Sequence, residues 1–126
     1  MNQLIQNAAS KVFKVLGRGH REIIYQNALS VELLKQPDFN ICQQVPLVVK
    51  YEYVPVGHVF ADMVLFKKTN FEPLSVLELK AQDRKLNDKD MFQLKKYMDI
   101  LNVPMGYLIN FSQRGEEIEF NEIKST

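Results

Sequence analysis

Two carboxylates and one ammonium group lie in neighbouring apolar segments, where they could act together. Asp62 stands within residues 59–66, and Glu78 and Lys80 stand within residues 75–80. Both segments are typical of strands, in which successive side chains point to opposite faces, so Glu78 and Lys80 share one face. If the two strands pair, the three charged groups converge. Burying such charges is costly unless they are paired or bind a metal ion.

A divalent cation is the ligand that this group of residues would suit. Mg²⁺ prefers oxygen ligands and is usually held by one or two carboxylates, with water and substrate phosphate in the remaining positions. Asp62 and Glu78 would supply the carboxylates, and the backbone carbonyl of Leu79 could supply a third oxygen. Lys80 could then orient an activated water and stabilise charge on a phosphorus under attack. The alternative is that Glu-x-Lys on a strand is an exposed ion pair that contributes little.

Three segments with apolar residues at helical spacing are predicted to pack around this group. Residues 4–16 form the first helix, which glycines at positions 17 and 19 end. Residues 88–101 form the third helix, with Asp88 expected as its N-cap. The second helix spans residues 21–35, and we expect its apolar residues to face inward: Ile23, Ile24, Ala28, Leu29, Val31 and Leu34.

Five extended segments are predicted to form the sheet, at residues 41–54, 59–66, 75–80, 105–111 and 117–123. Pro46 indicates either an edge position for the first strand or a bulge, and Val56-Gly57 is expected to be the turn into the Asp62 strand. Because a helix connects the third and fourth strands, these two are predicted to be parallel neighbours. The fold class is therefore α/β, a mixed β-sheet flanked by helices, in a single domain over residues 1–126.

Composition restricts the class of protein. The chain has 126 residues, of which 46% are hydrophobic and 25% charged, as in ordinary globular domains. Its one cysteine, Cys42, cannot form a disulfide within the chain, and we expect it to be a small apolar filler in a protein of the reducing cytoplasm. No apolar run reaches the roughly eighteen residues of a membrane span, so no membrane association is expected.

The charge distribution is compatible with a polyanionic partner. The net charge is only +1. Residues 80–96, however, carry six Lys or Arg against three Asp, and residues 11–22 carry four Lys or Arg against one Glu. Two basic segments therefore flank the acidic centre, and attraction of phosphate is one use for them. Solvated helix faces explain the same pattern at least as well.

Several short motifs, in the right order, resemble a known family. Asp62…Glu78-Leu79-Lys80 is similar to the core motif of the PD-(D/E)XK nuclease superfamily, with Ala61 in place of the proline. Residues 19–25 match the Gly-x-x-Glu-x-x-Tyr signature of the GxxExxY family. Residues 93–97 match the Gln-x-x-x-Tyr helix motif of the exonuclease-like branch, and residues 44–46 and 108–111 are also similar. The resemblance covers residues 3–123 and implies a restriction-endonuclease-like core.

This resemblance implies a role for each matching residue. The implied catalytic residues are Glu22, Asp62, Glu78 and Lys80. The implied metal ligands are Glu22, Asp62, Glu78 and the backbone carbonyl of Leu79, and the implied cofactor is Mg²⁺ or Mn²⁺. The implied substrate-binding residues are Tyr25, Gln93 and Tyr97. Each of these residues also has a structural alternative, since the tyrosines could be ordinary half-buried aromatics and Glu22 could pair with a nearby arginine.

The sequence thus predicts a Mg²⁺- or Mn²⁺-dependent nuclease that hydrolyses phosphodiester bonds, in DNA, by a metal-activated water. Target recognition would come from the shape of the substrate, from a homodimer or from a partner protein. Two alternatives belong to other classes. One is a non-catalytic nucleic-acid-binding or accessory module with the same fold. The other is a protein-interaction domain in which the charged cluster only fixes the fold.

Overall fold

The computed structural model describes residues 1–125, and the predicted helices and strands are present in it. The helices are α1 (Asn2–Leu16), α2 (Glu22–Leu33) and α3 (Asp88–Leu101). The strands are β1 (Phe39–Tyr51), β2 (Val54–Lys67), β3 (Pro73–Lys80), β4 (Met105–Asn110) and β5 (Glu119–Lys124). Within residues 1–125, the structure has no helix that is both long enough and apolar enough to span a membrane.

The strands form one mixed sheet in the order β1-β2-β3-β4-β5. Neighbouring strands are antiparallel except β3 and β4, which run parallel with Glu78 opposite Leu108. The helix α3 connects this parallel pair, as expected for a crossover connection. The predicted fold class is confirmed: a mixed sheet flanked by helices, consistent with a restriction-endonuclease-like fold. The edge position predicted for β1 from Pro46 is also confirmed.

The sheet separates two apolar cores. On one face, α1 and α2 pack against β2, β3 and β4, through residues such as Ile5, Phe13 and Leu29. On the other face, α3 packs against Val64, Val76 and Leu108 through Leu94 and Met98. In β3, Leu77 and Leu79 belong to the first core and Val76 to the second. By alternation, Glu78 and Lys80 therefore lie on the α3 side of the sheet.

The turn of the β1–β2 hairpin lies at Glu52-Tyr53, so its predicted position at Val56-Gly57 was wrong. Tyr51 pairs with Val54, and the two residues between them have φ values of 47° and 69°. Two successive left-handed residues are the requirement of a type I′ turn, which is more often made by Asn-Gly. Gly57 instead lies within β2 opposite Val49, next to a register shift. Glycine here marks a bulge and not a chain reversal.

The buried face of α2 also differs from the prediction. Ile23, Ile24, Val31 and Leu34 are 38–63% exposed. The buried residues of this helix are Tyr25, Gln26, Leu29, Ser30 and Leu33. Apolar residues occur on all sides of α2, so their periodicity could not identify the inner face. Two of these buried side chains are polar. One of them, that of Gln26, forms hydrogen bonds that are described below.

Two smaller expectations are corrected. The N-cap of α3 is Asn87 and not Asp88. The Asn87 side chain accepts a hydrogen bond from the Asp90 N–H (3.2 Å), and the Asp90 carboxylate accepts one from the Asn87 N–H (3.0 Å), which is a capping box. Cys42 is exposed on β1 and does not fill the core.

Candidate active site

Asp62 and Glu78 meet where β2 and β3 separate. The ladder between these strands runs from Phe66 opposite Pro73 to Met63 opposite Leu77. At the next position the two carboxylates replace backbone carbonyls as hydrogen-bond acceptors. Glu78 Oε1 accepts from the Asp62 N–H (2.9 Å), and Asp62 Oδ2 accepts from the Leu79 N–H (2.8 Å). Backbone donors that would otherwise pair across the strands are thus satisfied by side chains. These bonds fix the orientation of both carboxylates.

Burial sets the protonation of this pair. Glu78 is 4% exposed, and burial, followed by the negative charge of Asp62, raises its pKa to about 8. Burial also raises the pKa of Asp62, although hydrogen bonds from Leu79 and Gln44 oppose the shift. Two ionised carboxylates here would be costly unless a cation lies between them. The chemistry of these donors therefore suits a divalent metal ion.

Glu22 belongs to the same electrostatic group. It lies in the first turn of α2 and is partly buried. Its pKa is raised by burial and then by the charge of Asp62, whereas Lys80 lowers it. In the part of the chain that the structure describes, no three acidic, histidine or cysteine side chains come close enough together to hold an ion. The structure thus brings Asp62 and Glu78 into contact with each other, and direct ligation by Glu22 stays a prediction.

Lys80 supplies the positive charge at the site. It is the last residue of β3 and is partly buried. Its ammonium lowers the pKa of Asp62, Glu78 and Glu22, although less than burial raises the pKa of each. Lys80 therefore lies on the same face of β3 as Glu78, close enough for its charge to act on all three carboxylates, and its catalytic role stays a prediction.

A chain of glutamines supports Asp62, and sequence reasoning missed it. Gln44 Nε2 donates to Asp62 Oδ1 (3.3 Å) and to Gln26 Oε1 (3.2 Å), and Gln26 Nε2 donates to Gln43 Oε1 (2.9 Å). Gln26 is 1% exposed. Gln44 has a left-handed φ of 51°, which is unfavourable for a residue with a Cβ and is often found at functional sites. The sequence gives little indication of this support, because Gln44 belongs to a segment that resembles the family but the resemblance implies no role for it.

Gln93 and Tyr97 lie on α3 beside Lys80, and their role in substrate binding stays a prediction. Gln93 Nε2 donates to the Tyr97 hydroxyl (3.0 Å), since residues four apart share a helical face. Burial raises the pKa of Tyr97, and the charge of Glu78 raises it further. Both residues line a cleft of about 780 Å³ together with Lys80. Basic side chains line the same cleft, namely Arg84, Lys89 and Lys96.

Tyr25 is not brought to the site, which corrects the expectation that it binds substrate. Its side chain is fully buried, and its ring stacks on Phe111 with centroids 4.6 Å apart. Its hydroxyl donates to the carbonyl of Gly17 (2.6 Å) and accepts from Gln113 Nε2 (3.2 Å). Tyr25 therefore fixes the loop between α1 and α2. That loop leads directly into the first turn of α2, where Glu22 lies.

Comparison with known proteins agrees with this architecture. No curated protein matches the chain significantly. A family model described as the PD-(D/E)XK nuclease superfamily matches residues 1–123, nearly the whole chain. Nucleases of this superfamily generally use divalent metal ions such as Mg²⁺, and the match supports a nuclease-like function. With a restriction-endonuclease-like sheet and a match over residues 1–123, the chain belongs to the PD-(D/E)XK nuclease superfamily.

Proposed function

We propose that this protein is a divalent-metal-dependent nuclease of the GxxExxY group that hydrolyses phosphodiester bonds in DNA. The observation that carries the proposal is the carboxylate pair of Asp62, which is partly buried, and Glu78, which is buried, held by backbone amides near Lys80. A site built only for stability would not place two acidic side chains together where burial raises the pKa of both. Residues 19–25 carry the Gly-x-x-Glu-x-x-Tyr pattern of the proposed group.

The hydrogen bonds leave room for a cation. One oxygen of each carboxylate accepts from a backbone amide, and Gln44 donates to the other oxygen of Asp62. Asp62 Oδ1 and the second oxygen of Glu78 would hold Mg²⁺ or Mn²⁺, with the Leu79 carbonyl as a third ligand. Such an ion supplies Lewis acidity and lowers the pKa of water. Two carboxylates with additional water and phosphate oxygens are a usual environment for Mg²⁺.

The other residues of the site would act on the substrate. The Lys80 ammonium would orient the attacking water and stabilise the negative charge that develops on the phosphate. Gln93 and Tyr97 would donate hydrogen bonds to phosphate oxygens from the wall of the cleft. Glu22 would add to the negative potential of the site and would serve as a further carboxylate ligand where a second ion binds.

Cleavage of labelled single-stranded, double-stranded and branched DNA tests the proposal. Wild type is compared with Lys80→Ala in Mn²⁺, Mg²⁺ or EDTA, and Lys68→Ala, which removes an exposed lysine outside the cleft, is the matched control. We expect metal-dependent cutting that falls about 100-fold or more in Lys80→Ala, because a charged group acting on the transition state is lost. Lys68→Ala is expected to cut like wild type.

Metal-induced stabilisation separates chemistry from binding. Lys80→Ala should retain a rise in melting temperature with Mn²⁺, whereas Asp62→Ala should lose both cleavage and this rise. Without metal, Asp62→Ala is expected to melt no lower than wild type, because the repulsion on Glu78 is relieved. Cleavage by rigorously purified Asp62→Ala would show that the proposed site is wrong.

The basic cleft favours a second candidate, a nucleic-acid-binding module without catalysis. Lys89 and Lys96 line the cleft and would contact phosphates whether or not a metal binds. Binding of this kind persists in EDTA and weakens steeply with salt, because phosphate contacts release counterions. Salt-sensitive binding without cutting on any substrate would favour this candidate over the nuclease.

A further inference from the structure

Phe92 is an exposed aromatic residue on the wall of the candidate cleft. It lies on α3, one position before Gln93, and its side chain is 67% exposed. A single exposed apolar residue is common on protein surfaces and by itself needs no explanation. The surroundings of this residue are what suggest a use for it.

Phe92 lies between two lysines on the same face of α3. Lys89 is three residues before it and Lys96 is four residues after it, so the three side chains are neighbours on the helix surface. All three line the cleft, and Lys80 and Arg84 line it as well. Arg84 is engaged by Asp90 through two hydrogen bonds of 3.0 Å. The two helix lysines are therefore the cations best placed to contact phosphate.

An aromatic ring between cations is the arrangement that unpaired nucleic acids bind. The lysines attract consecutive phosphates, and the ring offers a flat face on which a base can stack. In a nucleic-acid duplex both faces of each base are already stacked on neighbouring bases. The Phe92 ring therefore could not stack on a base without distorting the duplex. A protein partner would be less well matched, since the cleft has a basic wall that favours phosphate.

The cleft is continuous with the candidate active site. Lys80, Gln93 and Tyr97 line it together with Phe92. Glu78 lies close enough to Tyr97 for its charge to raise the pKa of the Tyr97 hydroxyl. A strand held at Phe92 would thus lie in the same cleft as Lys80, the cationic residue of the candidate site. We propose that the cleft takes an unpaired nucleic-acid strand and that Phe92 stacks on one of its bases. This inference rests on the proposed nuclease function and specifies its substrate class.

Binding in EDTA tests the inference without requiring cleavage. Fluorescence anisotropy would compare labelled oligothymidine, oligouridine and a duplex, with wild type, Phe92→Ala and Phe92→Leu. We expect both variants to bind the two single strands about 5- to 100-fold more weakly, because one stacking contact is lost. Affinity for the duplex should stay within about twofold, since the lysines remain. Phe71→Ala is the matched control, because Phe71 is also 67% exposed but lies outside the cleft.

Stacking itself can be observed with Phe92→Trp. The natural chain has no tryptophan, so this variant contains a single indole, located in the cleft. Its fluorescence should be quenched on binding oligothymidine, and its affinity should equal or exceed that of wild type. No quenching, or unchanged single-strand affinity in Phe92→Ala, would overturn the inference. Unchanged strand affinity accompanied by loss of self-association in sedimentation would overturn it in favour of a protein contact.

The two proposals fail in different ways. If wild type cuts DNA but Phe92→Ala binds single strands normally, the stacking inference is wrong and the nuclease stands. If wild type binds single strands through Phe92 but never cuts with any metal, the nuclease is wrong and the strand-binding cleft stands. An equal loss of affinity for single strands and duplex in Phe92→Ala would also overturn the inference, because it would show no preference for an unpaired strand.

Discussion

Replacing Glu78 with glutamine should remove a large pH dependence of stability. Glu78 ionises with a pKa of about 8 in the folded protein, compared with an ordinary value of 4.5. Between these values the folded protein keeps a proton that the unfolded chain has released. The stabilisation from this proton is therefore fully present below about pH 4.5 and is lost as the pH rises through 8.

The magnitude follows from the linkage. Each pH unit in this window lowers the free energy of unfolding by about 1.4 kcal/mol, so the Glu78 contribution falls by about 4 kcal/mol between pH 5 and pH 8. Glu78→Gln cannot titrate, but its amide oxygen can still accept from the Asp62 N–H. The variant should therefore gain about 4 kcal/mol relative to wild type over the same range, an upper bound because water can enter the open cleft.

Urea unfolding in EDTA, followed by circular dichroism from about pH 5 to pH 8.5, measures this difference. Glu72→Gln is the control, because Glu72 is an exposed partner of Lys67 and should show no comparable trend. Parallel pH profiles for wild type and Glu78→Gln would refute the raised pKa, and with it the argument that the buried pair requires a cation. Adding Mn²⁺ should stabilise wild type most at high pH, because metal binding must displace the proton.

Substitutions at three further positions test packing, capping and the support of the site. Gly106→Ala should lower the free energy of unfolding by about 1 to 3 kcal/mol, because its Cβ would lie 2.5 Å from Met98 Sδ; stability equal to wild type in urea would contradict this packing. Asn87→Ala should cost about 1 kcal/mol through the lost cap of α3, and an unchanged melting temperature would argue against the capping box. Gln44→Ala and Gln44→Gly should both weaken Mn²⁺ binding about 10-fold in calorimetry, since Asp62 loses a hydrogen bond. The glycine variant should be about 1 kcal/mol more stable than the alanine variant because of its left-handed φ, and unchanged Mn²⁺ affinity in both would show that Gln44 does not position Asp62.

The elements and the charged centre could be predicted because each follows from local pattern. Alternation along β3 places Glu78 and Lys80 on one face, and strand pairing then brings Asp62 beside them. The parallel arrangement of β3 and β4 follows from the helix between them. None of these steps needs contacts between residues that are distant in the chain, apart from the pairing itself.

The support of the site could not be predicted because it depends on distant polar contacts. Gln26 is buried on α2 only because Gln43 and Gln44 on β1 satisfy its amide. Hydrophobic periodicity assigns polar residues to the surface, so the predicted inner face of α2 included Ile24 and left out Gln26. The expectation for Tyr25 was wrong for a related reason, since the motif in residues 19–25 does not show which hydrogen-bond partner the Tyr25 hydroxyl finds. Gly57 shows that composition identifies an irregularity in a strand without specifying its type.

The two-residue turn at Glu52-Tyr53 makes the tip of the β1–β2 hairpin a suitable site for the insertion of an additional domain. Tyr53 is 95% exposed, and exposed loop tips are the sites where inserted sequence is best tolerated. Val59, on the same strand that leaves this turn, lines the cleft. A DNA-recognition module inserted between Glu52 and Tyr53 would therefore be attached to the strand that leads to the candidate active site. The proposed nuclease could thus be given a new target without altering any of the residues proposed to hold the metal or the substrate.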